Sequence, residues 1–291
     1  MKLQQALESG DFVITGEIGP PKGTDLDHAL AEAKEYYTDN VVAVNVTDLQ
    51  SSVLRLGSMA VCHKLLDIGI EPVYQMTCRD RNRLALQSDL LSASVLGIEN
   101  VLALTGDHVP LGDHPQAKPV FDIDSVQLLQ VIDTLQQGKD MAGNELAGVP
   151  KFYPGAVVSP CAEPLEPQLF KMEKKIQAGA KFFQTQAVYD RAAFENFMDK
   201  VRGFGVPVLV GIVLLKSAGM AKFMNENVAG VSVPDELIKE LASVDKKDRK
   251  KKSVEIAARL LREMKDMAQG AHIMPLGWDS EVPKVIAAAT A

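Results

Sequence analysis

Short β-branched apolar runs alternate along the chain with longer stretches of helical period. The runs are FVITGEI (12–18), VVAVNVT (41–47), PVYQMTC (72–78), NVLALTG (100–106), GAVVSP (155–160), FFQTQAVY (182–189), VPVLVGIVLL (206–215) and HIMPLG (272–277). Helical patterns fill the intervals at 25–37, 53–68, 81–96, 123–138, 167–178, 191–204 and 217–227, each long enough for a right-handed crossover between parallel strands. Eight such units predict an α/β protein of the (β/α)8, TIM-barrel, type, with residues 1–291 as one domain. Two segments exceed what a unit needs. Residues 107–122, DHVPLGDHPQAKPVFD, form a long loop after the fourth strand, where barrel loops carry function. Residues 228–268 contain the charge run DKKDRKKK (245–252), which reads as a solvated helix start.

Barrel chemistry projects from the C-terminal ends of strands, so the polar residues there are the candidates. Glu17 ends the first run, Thr47 and Asp48 the second, Gln75 and Thr77 the third, Asp107 the fourth, Ser159 the fifth, Gln186 the sixth, and Lys216 with Ser217 the seventh. Glu17 and Asp107 follow strongly apolar approaches, a setting suited to proton donation. Each also has a structural reading. Glu17 precedes Gly-Pro-Pro and could satisfy that turn, Asp107 could cap a helix or turn, and Gln186 could be a satisfied core amide. Lys171, Lys174 and Lys175 share one helical stretch and read equally as a solvated basic face.

Composition narrows the function. A net charge of −7 offers no basic field for nucleic acid or an anionic membrane. No stretch approaches the roughly 20 apolar residues of a membrane span, and the N-terminus lacks a signal-peptide core, so a cytoplasmic protein is expected. The three cysteines are widely spaced and the five histidines do not cluster, so neither disulfides nor a metal site is expected. With no GxGxxG or GxxxxGK[ST], a nucleotide cofactor needs another geometry.

GEIGPPKG (16–23), NVTD (45–48), YQMTCRDRN (74–82), LTGD (104–107), QAGAKFFQTQAVYD (177–190), GIVLLKSAGMAKFMN (211–225) and HIMPLGW (272–278) follow one another in the order found in methylenetetrahydrofolate reductases, and the chain resembles that family over nearly its whole length. The resemblance implies reduction of 5,10-methylenetetrahydrofolate to 5-methyltetrahydrofolate through a bound flavin, FAD by family habit with FMN as the alternative. Glu17 matches the acid that protonates folate N10, Asp107 the acid near flavin and pterin, and Gln186 a folate-binding amide. Thr47, Gln75, Thr105, Gly106, Asp107, Ser159, Lys171, Lys174 and Lys175 fall where the family contacts flavin.

Two departures stand out. TDLQSS (47–52) occupies the place of a Gly-rich stretch in members that use NAD(P)H directly, and Ala218 stands where an aromatic is expected after strand seven. The chain also ends at Ala291 without the regulatory extension of animal relatives. It is similar to the short catalytic subunits that acetogenic and related anaerobic bacteria pair with a metal-containing subunit, so an electron-delivering partner and an oligomer are expected. Competing readings are a lyase or aldolase, for which Lys216 is the strand-end Schiff-base candidate, and a folate-binding subunit without catalysis, which would have no use for Glu17.

Overall fold

Parallel strands covered on both faces must be apolar throughout, which is why the continuous runs mark them. The computed structural model describes residues 2–290. Its strands are β1 (Val13–Ile18), β2 (Ala43–Val46), β3 (Pro72–Thr77), β4 (Asn100–Leu104), β5 (Tyr153–Val158), β6 (Phe182–Ala187), β7 (Val208–Val213) and β8 (Gly270–Met274), one in each predicted run. Each pairs in parallel with the next, and β8 closes on β1 through Val13–Gly270 and Thr15–His272, giving the expected (β/α)8 barrel.

The crossover helices are α2 (Asp27–Tyr36), α3 (Ser58–Asp67), α4 (Arg83–Val95), α5 (Ser125–Gln136), α6 (Glu166–Gln177), α7 (Arg191–Val201) and α8 (Ala218–Asn227). The long segment before β8 folds into α9 (Asp235–Ala242) and α10 (Arg249–Met264), and the charge run forms the exposed turn that starts α10. One expected helix is corrected. The helix expected over 53–68 begins only at Ser58, because residues 49–57 build a loop over the barrel mouth.

Two helices were not anticipated. α11 (Val282–Thr290) packs on α10, and α1 (Lys2–Ser9) plugs the bottom of the barrel. Leu3 and Leu7 of α1 join Val13, Val73, Leu102, Tyr153 and Phe182 in a cluster separate from the main core. Burying two leucines contributes about 1.5–3 kcal/mol each. Glu71 anchors the plug by accepting the Lys2 and Leu3 amides at 2.6 and 3.0 Å. Within this layer Phe182 stacks on Tyr153 at 5.4 Å, and a Cβ on Gly155 would fall 2.3 Å from the Phe182 ring, so only glycine fits there. The barrel floor is therefore closed and mostly apolar, with the buried Asn100 at the start of β4 donating to Glu71 Oε1 at 2.9 Å and the Pro72 carbonyl at 3.1 Å.

Candidate active site

The inward positions of the strands change from apolar to polar on rising from the floor. Thr15, Asn45, Gln184 and His272 fill the next layer, all buried. Asn45 and Gln184 pair reciprocally, Asn45 Nδ2 donating to Gln184 Oε1 at 2.7 Å and Gln184 Nε2 to Asn45 Oδ1 at 3.1 Å. This fixes the Gln184 amide, which also donates to Thr15 Oγ1 at 3.4 Å. The Thr15 hydroxyl also lies 2.9 Å from His272 Nδ1. His272 Nε2 faces Glu17 Oε2 at 3.4 Å, and with Thr15 donating to Nδ1 it is Nε2 that carries the ring hydrogen. Gln75 Nε2 donates to the same oxygen at 3.3 Å.

Two donors thus converge on one oxygen of Glu17, a residue only 7% exposed, while Oε1 accepts no hydrogen bond from the described residues. Glu17 lines a cleft of about 370 Å³ on one side and another of about 480 Å³ on the other. Behind it the buried Tyr37 donates to Asp279 Oδ1 at 2.8 Å, with the Glu17 carbonyl 3.2 Å away. Burial pushes the Asp279 carboxyl upward, the charge of Glu17 adds to this, and the Tyr37 hydrogen bond opposes it.

The smaller cleft gathers most residues expected from sequence: Glu17, Gln75, Thr105, Gly106, Asp107, Ser159, Lys171, Lys175 and Gln186. Thr47 lies instead on the second cleft. Lys174 is turned away, into a groove with Asp124 and Gln127, its amine 4.4 Å from the Phe170 ring. Lys171 and Lys175 stand four residues apart on one face of α6, and Lys174 is rotated off it. Thr185 and Gln186 both line the cleft at the end of β6, where the strand is irregular. The pairing register of β6 and β7 shifts between Gln184 and Ala187, and Thr185 Oγ1 accepts the Gly211 amide at 2.8 Å within this bulge. The Gln186 side chain forms no hydrogen bond among the described residues and is free for a ligand.

The mouth is tied together by charges that the strand-end inventory left out or treated as single groups. Asp48 accepts from the Thr77 amide (2.8 Å) and hydroxyl (2.9 Å) and forms a close ion pair with Arg81. Arg79, 1% exposed, pairs with Asp80 and donates to the carbonyls of Leu49 (3.1 Å) and Asp107 (3.4 Å). Asp107 itself is exposed, and its carboxylate caps the Ser51 amide at 3.0 Å. Leu49, Ser51 and Ser52 hold positive φ values of 48°, 55° and 59°, so the TDLQSS segment takes a left-handed backbone without glycine. Gly106, at φ 98°, is needed at its turn because a Cβ there would meet Arg79 and Thr77 at 3.0 and 3.2 Å.

Lys216, the candidate for a Schiff base, does not line the smaller cleft. Its amine contacts the Leu276 carbonyl and lies 5.3 Å from the Trp278 ring. His272, Thr15, Asn45, Gln184 and Arg79 were missed by strand-end reasoning, although Thr15 and Glu17 share one strand face in the sequence.

A closed parallel barrel with a braced acid at its C-terminal mouth, opening on clefts built from several strand ends, defines a protein with the layout of barrel active sites. The chain belongs to the methylenetetrahydrofolate reductase family, whose model matches residues 2–290. It is 30% identical over 208 residues to methylenetetrahydrofolate reductase 2 of Schizosaccharomyces pombe, covering 67% of this chain and 31% of that protein. To 5,10-methylenetetrahydrofolate reductase of Salmonella typhimurium it is 25% identical over 226 residues, covering 76% and 71%. The match spans about a third of the length of the eukaryotic relatives, from 28% to 39%.

Among solved structures, an uncharacterized protein from Clostridium thermocellum that binds two copies of 5-methyl-5,6,7,8-tetrahydrofolic acid superposes with a TM-score of 0.67 at 19% identity, covering 99% and 98% of the chains. Tryptophan synthase from M. tuberculosis gives 0.55 at 11% identity, covering 99% and 98%. These likenesses show the fold.

Proposed function

We propose that this chain reduces 5,10-methylenetetrahydrofolate to 5-methyltetrahydrofolate with a bound flavin. Family membership supports the reading, as do the activity named for the Salmonella relative and the methyltetrahydrofolate bound by the Clostridium protein. The observation that carries it is Glu17, braced through Oε2 with Oε1 unpartnered between two clefts. Breaking the bond between N10 and the bridging methylene leaves the electron pair on N10, which takes the proton from Glu17 Oε1. The methylene remains on N5 as an iminium and becomes the methyl group on receiving a hydride. Glu17, now a carboxylate, keeps the two donors on Oε2, which stabilise the charge it has acquired. The Asp107 carboxylate favours the cationic iminium, and the free Gln186 amide hydrogen-bonds the pterin.

The donor set of the smaller cleft fits a flavin. Amide and hydroxyl groups of Gln75, Thr105 and Ser159 suit the polar edge of the ring, the Gly106 turn and Asp107 lie beside them, and Lys171 and Lys175 suit a phosphate. When bound, the flavin supplies the hydride chemistry. Lys175 is 7% exposed and donates to the Val157 carbonyl at 2.6 Å. Burial, helped by the nearby charge of Lys171 and opposed by Asp124, lowers its ammonium to about 8. Below that pH it is charged and attracts phosphate, so FMN affinity is expected to fall as pH rises through 8 while riboflavin affinity does not. Titrating both flavins on either side of pH 8 checks this, with Lys175→Met expected to remove the FMN dependence.

Electrons are assigned to a partner protein. TDLQSS keeps a left-handed path but carries side chains where glycine would leave bare backbone, and Ala218 at the start of α8 offers no ring to stack on nicotinamide. The isolated, flavin-loaded chain should therefore convert the folate with a chemically reduced viologen under anaerobic conditions, while NADH and NADPH bleach the flavin slowly in stopped flow. Rapid stoichiometric bleaching by either nucleotide would remove the need for a partner. Failure to turn over the folate with a reduced dye would overturn the function itself.

A lyase or aldolase reading has lost its lysine, since the Lys216 amine is engaged at the Leu276 carbonyl away from the smaller cleft.

A further inference from the structure

Glu17 must be neutral before it can give a proton, and its own hydrogen bonds pull the other way. Gln75 Nε2 and His272 Nε2 both reach Oε2, and donors to a carboxyl favour its ionised form. They suit the carboxylate left after the proton has gone. Burial of the residue opposes them in part, and a second influence stands behind it.

Tyr37, 1% exposed at the end of α2, links Glu17 to another acid. Its hydroxyl donates to Asp279 Oδ1 at 2.8 Å and lies 3.2 Å from the Glu17 carbonyl oxygen. Asp279, half-buried in the turn between β8 and α11, lines the same cleft as Glu17. Burial pushes its carboxyl upward, and the charge of Glu17 pushes it further. Such repulsion is mutual, so the two carboxyls hold one negative charge more readily than two.

Their surroundings decide where that charge rests. The Asp279 anion has the short Tyr37 hydrogen bond, its own backbone amide and the nearby Lys216 ammonium. Tyr37 stays a donor, because burial pushes its phenol far upward. Glu17 has only the longer bonds from Gln75 and His272, 3.3 and 3.4 Å, and pairs with no lysine or arginine among the described residues. On the Asp279 side Glu32 of α2 and Arg55 of the loop after β2 line the cleft with opposite signs, and Lys250 of α10 is engaged with Glu281 at 3.7 Å. Across the smaller cleft Asp107 and Lys175 are likewise opposite in sign.

We propose that Asp279 is a positioning residue for the proton on Glu17: the pair carries one negative charge, Tyr37 and Lys216 fix it on Asp279, and Glu17 remains the neutral acid until N10 takes its proton. This role rests on the folate-reducing function proposed above.

The test follows the pH dependence of the folate half-reaction, the oxidation of the reduced, flavin-loaded protein by 5,10-methylenetetrahydrofolate. Asp279→Asn removes the charge, so Glu17 gives up its proton at lower pH and the alkaline limb of the profile moves down, with a rate loss of about tenfold above the limb that closes as pH falls. Tyr37→Phe keeps the ring packed on Gly16, where a Cβ would fall 2.6 Å from it, and removes only the hydroxyl that holds the charge on Asp279. It should move the limb the same way by less. A second readout needs no turnover. In protein carrying isotope-labelled glutamate, the Glu17 carboxyl resonance, assigned by its loss in Glu17→Gln, should titrate at lower pH in both variants. A limb and a resonance that stay in place, or a rate loss equal at every pH, would overturn the role of Asp279 and leave the function standing. Wild-type protein that fails to reduce the folate at any pH would overturn the function and this role together.

Discussion

Glu17→Gln is expected to lower folate reduction by about 10²–10⁴-fold, the contribution of a positioned general acid, while leaving a folded, flavin-binding protein that still binds folate. The hydrogen bonds around the residue predict how the amide will sit. His272 Nε2–H and Gln75 Nε2–H both point at the Oε2 position, so the amide oxygen will take that place and its NH2 group will face the cleft. The shape is kept, and the amide can still donate a hydrogen bond to N10, yet it has no proton to transfer. The defect should therefore appear in the rate constant for oxidation of the reduced enzyme by folate, with little change in the folate dissociation constant. Anaerobic stopped flow separates the two. Unchanged folate reduction in a folded Glu17→Gln protein would rule out Glu17 as the acid.

Thr15 and His272 are positioning residues in this account, because they act on the substrate only through Glu17. The chain from the Asn45–Gln184 pair runs through Thr15 to His272, and with Thr15 donating to Nδ1 the Nε2 hydrogen is turned to Oε2, which leaves Oε1 for the substrate. None of this was legible in the sequence. Thr15 and His272 are 257 residues apart, and a polar residue within an apolar run gives no sign of which strand will face it across the barrel. The strands themselves were legible, because burial on both faces leaves a continuous apolar run whatever the neighbours are. Much of the mouth was legible for the complementary reason: a barrel places strand ends together, so Gln75, Asp107, Ser159 and Gln186 could be grouped without knowing their contacts, while Thr105 came from the family resemblance alone.

The failures have equally local causes. Lys174 was grouped with Lys171 and Lys175 by proximity in the chain, and a helix separates neighbours by about 100° while bringing fourth neighbours together. α1 has only eight residues, too few for its apolar stripe of Leu3 and Leu7 to stand out before the barrel floor that it covers is known. Thr47 was placed with the flavin residues by the family resemblance, and it lines the other side of Glu17. The sequence could mark a strand end and could not tell on which of two clefts it would open.

Arg81→Met is expected to cost about 3 kcal/mol of stability, the lower end of the range for breaking a buried ion pair by removing one partner. Asp48 is 5% exposed, and among the described residues only the Thr77 amide and hydroxyl satisfy it besides Arg81, so the variant leaves a carboxylate desolvated beneath the mouth. The lower end applies because the Arg81 side chain retains 21% exposure, which lets water replace part of what is lost. Asp48→Asn should cost less, since the amide oxygen still accepts from Thr77 and Arg81 keeps a second partner in Asp89 at 3.2 Å. The double variant should recover part of the Arg81→Met loss, because it no longer buries an unpaired charge. Urea unfolding of the three proteins measures this order. A loss below about 1 kcal/mol in Arg81→Met would place the pair with ordinary surface salt bridges and remove it as an anchor for the left-handed segment that begins at Leu49.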